Sequence, residues 1–232
     1  MPINNAAEKV RAVIDGLDRN GDKKVFPDNP NVPAFRTASI PTAEGECLKK
    51  WVTKERAVNA IEIGCAFGFS ALHIGEGLRL NNVANPKHTI IDAWQTQENK
   101  YANLGLDILA KAGLDNIIEF YGEKSEIALP RLLGENRKFD FAFVDGCHLF
   151  DCVFVDLFYL GNLVKNGGII FLDDYDKPGI RKAITFFIKN LGWKIEESGL
   201  NEKSDLNKKR EWLVVRISEK GDTRQWNDFI DF

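Results

Sequence analysis

The sequence predicts an α/β fold: a doubly wound, Rossmann-like domain built around a mostly parallel sheet. Short apolar runs alternate with helix-spaced segments from about residue 45 onward, which is how βαβ units look in sequence. The runs are apolar throughout instead of alternating, as strands covered on both faces are. The chain has 232 residues, 44% hydrophobic and 28% charged, which suits one domain with a sizeable core, since single domains commonly reach about 250 residues.

The first forty residues differ from the rest. An amphipathic helix is followed by DGLDRNGDKKVFPDNPNVPAF, which holds most of the prolines before the sheet begins, so residues 1–41 read as a helical arm or lid ahead of a domain at 42–232. Asp18, Asn20 and Asp22 look briefly like a calcium loop. Gly21 falls one position too early for that pattern, however, and no closing Glu follows.

Strands are expected at Ala57–Ile63, His88–Ile91, Ile117–Tyr121, Phe139–Val144 and Gly168–Leu172. Helical spacing fills the gaps at Ser70–Leu80, Lys100–Ala112, Ser125–Leu133 and Val153–Val164, so each crossover has a helix. Ile180–Asn190 reads as a further helix. Two strand-like runs follow, Trp193–Glu197 and Trp212–Ile217, and the stretch between them (SGLNEKSDLNKKRE) is too short and charged for a crossover helix. An antiparallel hairpin with a loose loop is expected there.

Composition excludes several function classes. With 31 basic against 34 acidic side chains the formal charge is −3, so nothing suggests the basic face that binding a nucleic-acid backbone needs. Cys47, Cys65, Cys147 and Cys152 form neither a disulfide framework nor a CxxC zinc pair, and the N-terminus lacks a signal-peptide core. No stretch approaches the length of a membrane span. A soluble cytoplasmic protein is expected. The aromatic C-terminal end, QWNDFIDF, could pack on the domain or on a partner, so a homodimer is possible.

The segment Glu62-Ile63-Gly64-Cys65-Ala66-Phe67-Gly68-Phe69-Ser70 joins the first core strand to its helix. Ligands of open α/β sheets bind outside the carboxyl ends of the strands, where glycines let backbone approach them closely. The same turn could equally serve helix packing alone. The dinucleotide fingerprint GxGxxG is absent, because three residues separate Gly64 from Gly68 and no further glycine falls in register. Glu62 sits where a buried strand would favour an apolar residue, so the turn suits a ligand with an amino or positive group. Asp92 ends the next strand, where such folds place an acid on ribose hydroxyls, although it could also cap the following helix. An adenosine with a charged amino-acid tail would satisfy both acids.

A second constellation pairs Asp145-Gly146-Cys147-His148 with Asp173-Asp174, each following a buried strand. Three converging carboxylates repel one another unless a cation or hydrogen-bond donors compensate, and a hard divalent ion with oxygen ligands is a natural partner. The bland alternative is that these acids cap turns and bind loop amides.

EIGCAFGFS, IIDAW, FDFAFVDGCH and NGGIIFLDD, in this order, resemble the motifs of the class I S-adenosylmethionine-dependent methyltransferases. The closer likeness is to their cation-dependent O-methyltransferase branch, of catechol, caffeoyl-CoA and macrocin types. It runs from about Thr42 to about Gly179 and implies a seven-stranded sheet with an antiparallel last strand. It also implies magnesium held by Asp145, Asp173 and Asp174, the last being Asn in the catechol type and Asp in the macrocin type. His148 lies near the position of the catechol type's lysine base, and imidazole, with a pKa of about 6.5, is a competent base. Gly64, Gly68 and Ser70 resemble the positions that hold the cofactor's amino-acid end, with Glu62 and a backbone contact from Ile40. Asp145 also borders the cofactor site. Gly122–Glu126 resembles the adenine-edge loop, with Ser125 as the contact and Lys124 as an alternative. Trp94 could pack on adenine or on a helix. Asp151 and Asp156 are expected on a solvated face or at a helix start.

The implied activity is methylation of a hydroxyl on a small molecule. Rival readings are a metal-independent methyltransferase, a nicotinamide-dependent oxidoreductase and a catalytically silent binding module.

Overall fold

A computed structural model describes residues 3–20, 34–98, 100–203 and 208–232. The chain forms two compact units, residues 1–124 and 125–232. Seven described strands make a mixed sheet, ordered β3-β2-β1 across the first unit and β4-β5-β7-β6 across the second.

In the first unit, α1 (Ile3–Asn20) turns one apolar face inward, burying Val10, Ile14 and Leu17. It packs on α4 (Phe69–Leu80), which also packs on α3 (Thr42–Lys54). The Arg11 guanidinium fastens this helix layer, donating from Nε to Glu76 Oε1 at 2.9 Å and from Nη1 to Glu46 Oε1 at 2.6 Å. Buried His73 lies beside this network, and burial pushes its pKa down to about 3, so it stays neutral. The short helix α2 (Phe35–Ala38) sets Phe35 edge-on against Phe69 at 5.2 Å. The possible calcium residue Asp22, with Gly21 and most of the Pro-rich segment, lies outside the described residues.

The strands β1 (Asn59–Ile63), β2 (Lys87–Ile91) and β3 (Ile118–Tyr121) are parallel, in the register Ile63↔Ile91↔Tyr121. All lie within two residues of the expected bounds. The helix α5 (Leu104–Lys111) begins later than helical spacing suggested, because Ala102 and Asn103 take left-handed backbone and break the pattern before it.

In the second unit, α6 (Ser125–Gly134) and α8 (Pro178–Leu191) pack against α7 (Phe150–Leu163). The strands β4 (Phe139–Val144) and β5 (Val164–Leu172) are parallel. The strand β5 starts ahead of the expected Gly168. Its register jumps from Phe139↔Val164 to Phe141↔Ile169, so residues 165–168 form a bulge inside the strand. The strands β6 (Lys194–Lys203) and β7 (Lys208–Arg216) form the expected antiparallel hairpin, with β7 beside β5. Residues 198–203 and 208–210, expected in a loose loop, are strand, because hairpin pairing satisfies the backbone of a polar segment as well as that of an apolar one. The tail folds back onto α8, where Phe186 lies 5.1 Å from Phe232 and Asn190 accepts from Ile230 N at 2.7 Å.

Candidate active site

The first unit presents the glycine turn at the end of β1. Gly64 N donates to Ile91 O at 3.0 Å, which extends the strand pairing by one bond. The chain then turns through left-handed Gly64 (φ 91°), Ala66 (φ 46°) and Gly68 (φ 75°). Asp92 holds this turn: its Oδ2 accepts from Cys65 N at 2.9 Å and Ala66 N at 3.0 Å. Its other oxygen accepts from Trp94 N at 2.7 Å, so the strand-end acid binds amides of the glycine turn and of its own following loop.

Gln95, which sequence reasoning missed, braces the turn from below. Its amide donates to Ala66 O at 2.6 Å while its oxygen accepts from Gly105 N at 3.1 Å. A side chain on Gly105 would bring a Cβ within 2.6 Å of Ala66 O, so α5 approaches the turn as closely as glycine permits. The helix-packing and ligand readings of this turn are therefore compatible.

Glu62 is fully buried beneath the turn. It accepts from Ser70 Oγ, and His88 Nε2 on β2 lies 2.9 Å from its second oxygen. This carboxylate is thus held by two side chains of the protein. His88 was visible only as the first residue of an expected strand. Burial, together with the Glu62 and Asp92 charges, raises the Cys65 thiol pKa well above its ordinary value and keeps the thiol neutral. Ile40 is buried between α2 and α3, while half-exposed Trp94 stacks on Tyr101 at 6.5 Å beneath the Lys100 ammonium.

The second unit holds the acidic cluster. Asp173 N donates to Val144 O at 3.1 Å, so the ends of β4 and β5 stay paired where Asp145 and Asp173 emerge. Asp174 takes left-handed backbone (φ 56°), which aspartate tolerates better than most residues and which turns its side chain toward its neighbours. His148 Nε2 lies 2.9 Å from Asp174 Oδ2 and 3.6 Å from Asp145 Oδ1. Hydrogen bonds to Asp145 and Asp174 raise its pKa to about 9 against the effect of burial. Burial pushes Asp174 upward, but His148, Arg210 and Lys177 outweigh it and hold this carboxyl well below the usual range. Cys152 donates to Cys147, which with burial raises its pKa to about 12.

Donor atoms of Asp145, His148 and Asp174 lie within 4.8 Å of one another. A carboxylate-rich donor set with one imidazole fits a hard divalent ion in its chemistry. Arg210, at the hairpin end of β7, contacts Asp145, Asp173 and Asp174 and so answers the same charge with a guanidinium. Sequence reasoning saw Arg210 only as the end of a loop. Its approach depends on the hairpin register, which no local motif encodes.

Ser125 opens α6 and faces Asp156 of α7. Asp156 was expected on a solvated face or at a helix start. It is instead 1% exposed in the middle of α7, because the helix begins at Phe150 and turns this position inward. Burial raises its pKa to about 7. Asp151 is exposed in the first turn, as expected.

Residues 61–175 match a family model described as a methyltransferase domain. Over 136 residues the chain is 35% identical to Tapetum-specific methyltransferase 1 of Arabidopsis thaliana, a match covering 58% of this chain and 54% of that protein. The chain therefore spans about half the length of the curated relatives it matches. The O-methyltransferase of Bacillus cereus, solved in complex with SAH, superposes with a TM-score of 0.67 at 16% identity, covering 92% of this chain and 91% of that one. The O-methyltransferase TomG of Streptomyces achromogenes, solved with SAM and involved in tomaymycin synthesis, gives a TM-score of 0.64 at 18% identity over 92% and 89%. The matched segment takes in the glycine turn, Asp92, the Asp145–His148 loop and Asp173–Asp174, leaving the nicotinamide alternative without support. Residues 61–175 thus match a methyltransferase domain, and the chain shares its fold with the solved O-methyltransferases.

Proposed function

We propose that this protein transfers a methyl group from S-adenosylmethionine to a hydroxyl of a small molecule. The observation that carries the reading is the family match over residues 61–175, which spans both the braced glycine turn and the acid–imidazole cluster. Similarity to proteins named as O-methyltransferases supports oxygen as the acceptor.

S-adenosylmethionine, when bound, supplies an electrophilic methyl on a sulfonium. In this reading the Gly64–Gly68 turn admits the cofactor's backbone-facing edge, with Ile40, Glu62 and Ser70 serving its amino-acid end. Asp92 takes the ribose, Ser125 the adenine edge, and Asp145 borders the sulfonium. His148, with its side chain 44% exposed, is the general base; because Asp145 and Asp174 raise its pKa to about 9, it acts through the minor neutral form, and turnover should rise with pH toward that value. Asp145, Asp173 and Asp174 would hold a magnesium ion, which would acidify a hydroxyl bound to it. A metal-independent form of the same reaction is the second reading, favoured by the contacts of Arg210 with all three carboxylates.

The test is methyl transfer from labelled S-adenosylmethionine to a panel of phenolic, catecholic and sugar hydroxyls, alongside calorimetric binding of S-adenosylhomocysteine. His148→Ala should lower turnover by about 100-fold or more while leaving S-adenosylhomocysteine affinity within about threefold. Failure to bind S-adenosylhomocysteine would sink the function, and full turnover in the variant would remove His148 as base.

A further inference from the structure

Arg210 places a single atom among all three acids. Its Nη2 lies 3.5 Å from Asp145 Oδ1 and 3.5 Å from Asp174 Oδ2, and it also contacts Asp173 Oδ2. Its Nε is 3.0 Å from Asp174 Oδ1. His148 Nε2 rests on two of the same oxygens, Asp174 Oδ2 and Asp145 Oδ1. A divalent ion bound by these residues would need the point where those oxygens converge, at about 2.0–2.6 Å from each. The guanidinium nitrogen already stands among those oxygens, 3.5 Å from two of them, so an ion could not bind all three without displacing it, and a guanidinium does not give up its charge by losing a proton.

We propose that Arg210 is the resident cation of this site and competes with a divalent ion for Asp145, Asp173 and Asp174. The proposal rests on the reading of those acids as cation ligands. Their burial gives the reason for a resident cation: the side chains of Asp173 and Asp174 are 0% and 6% exposed, and carboxylates so withdrawn from water need a counter-charge whether or not an ion is bound.

The backbone beside Arg210 is fastened, whereas its side chain is long and rotatable. Glu211 O accepts from Tyr175 N at 2.7 Å and Glu211 N donates to Asp176 Oδ1 at 3.2 Å, so β7 is stapled to the loop that carries the acids. The guanidinium can thus leave by rotamer change while the strand stays in place. If it is withdrawn in one molecule in about ten, the apparent affinity for the ion falls about tenfold.

Binding of Mn²⁺ to the full chain, followed by electron paramagnetic resonance, tests the competition. Arg210→Met should bind Mn²⁺ about tenfold more tightly than wild type. In EDTA its melting temperature should fall below that of wild type, and added Mn²⁺ should restore more of the loss than it adds to wild type. Lys177→Met is the control, since Lys177 pairs with Asp174 but with neither Asp145 nor Asp173. It should change affinity less than about threefold, the scale of a partly exposed charge. Equal affinities in wild type and Arg210→Met, or an equal gain in Lys177→Met, would overturn the competition. Absence of bound Mn²⁺ in wild type and variant alike would overturn the cation-ligand reading itself. Arg210→Gln replaces Arg210→Met where the latter fails to fold, with the same expected gain.

Discussion

Asp156 shows how one side chain can tie stability to pH. Its carboxyl is buried in α7 with neither oxygen completing a hydrogen bond, and burial raises its pKa from 3.8 to about 7. Between these values the folded state binds the proton that the unfolded chain releases, so the contribution of Asp156 is fully present below about 4 and is lost as pH rises to about 7. The cost at pH 8 is on the order of 4 kcal/mol, since each tenfold difference in proton affinity between the folded and unfolded chain is worth about 1.4 kcal/mol. Asp156→Asn should flatten the decline in stability between pH 4 and pH 8 that wild type shows, whatever offset the amide adds at all pH values. Urea unfolding across that range measures it, and parallel curves for the two proteins would refute the buried ionisation. Ser125, at the start of α6, is the neighbour that opposes the rise.

Among the elements, the glycine turn depends on the helix behind it. Asp92 holds Cys65 and Ala66 amides, Gln95 holds Ala66 O, and Gly105 at the start of α5 permits both. Gly105→Ala would set a methyl 2.6 Å from Ala66 O and 3.1 Å from Gln95 Oε1. Backbone must then move, because the obstructing atom at the turn is not the end of a flexible side chain. Overpacking of this kind costs about 1–3 kcal/mol. The variant should lose stability in that range and also bind S-adenosylhomocysteine about tenfold more weakly, since the turn it displaces is the proposed cofactor cradle. Loss of stability without loss of affinity would detach the turn from cofactor binding. The turn itself was legible from Gly64, Gly68 and the strand before them. The brace was not, because Gln95 and Gly105 become neighbours only when the irregular segment ahead of α5 folds back.

Across the whole molecule, what could be read from sequence divides by the range of the forces involved. Strands β1, β2 and β4 were visible because burial on both faces writes itself into consecutive residues, and the crossover helices because their apolar residues recur at helical spacing. The acids at strand ends were visible because they interrupt those runs. Arg210 and the extended hairpin were not, since polar residues paired across β6 and β7 carry no apolar period. The small net charge of −3 was similarly uninformative, because Asp145, Asp173 and Asp174 matter through their convergence and not through the sum.

The C-terminal end is a further case in which sequence left alternatives open, and the structure packs it on its own chain. Phe232 and Phe229 lie 5.1 and 6.4 Å from Phe186, and Asn190 exchanges hydrogen bonds with Ile230. Lys189 adds a bond to Asp231 O at 3.0 Å. Phe229 and Ile230 remain 62% and 56% exposed, however, so the burial lost with the tail is modest. Truncation after Gln225 should lower unfolding free energy by about 2 kcal/mol, the scale of two aromatic contacts with partial burial. Sedimentation of both forms completes the experiment. An unchanged mass with reduced stability assigns the tail to its own α8, whereas a halved mass would assign it to a second copy of the chain.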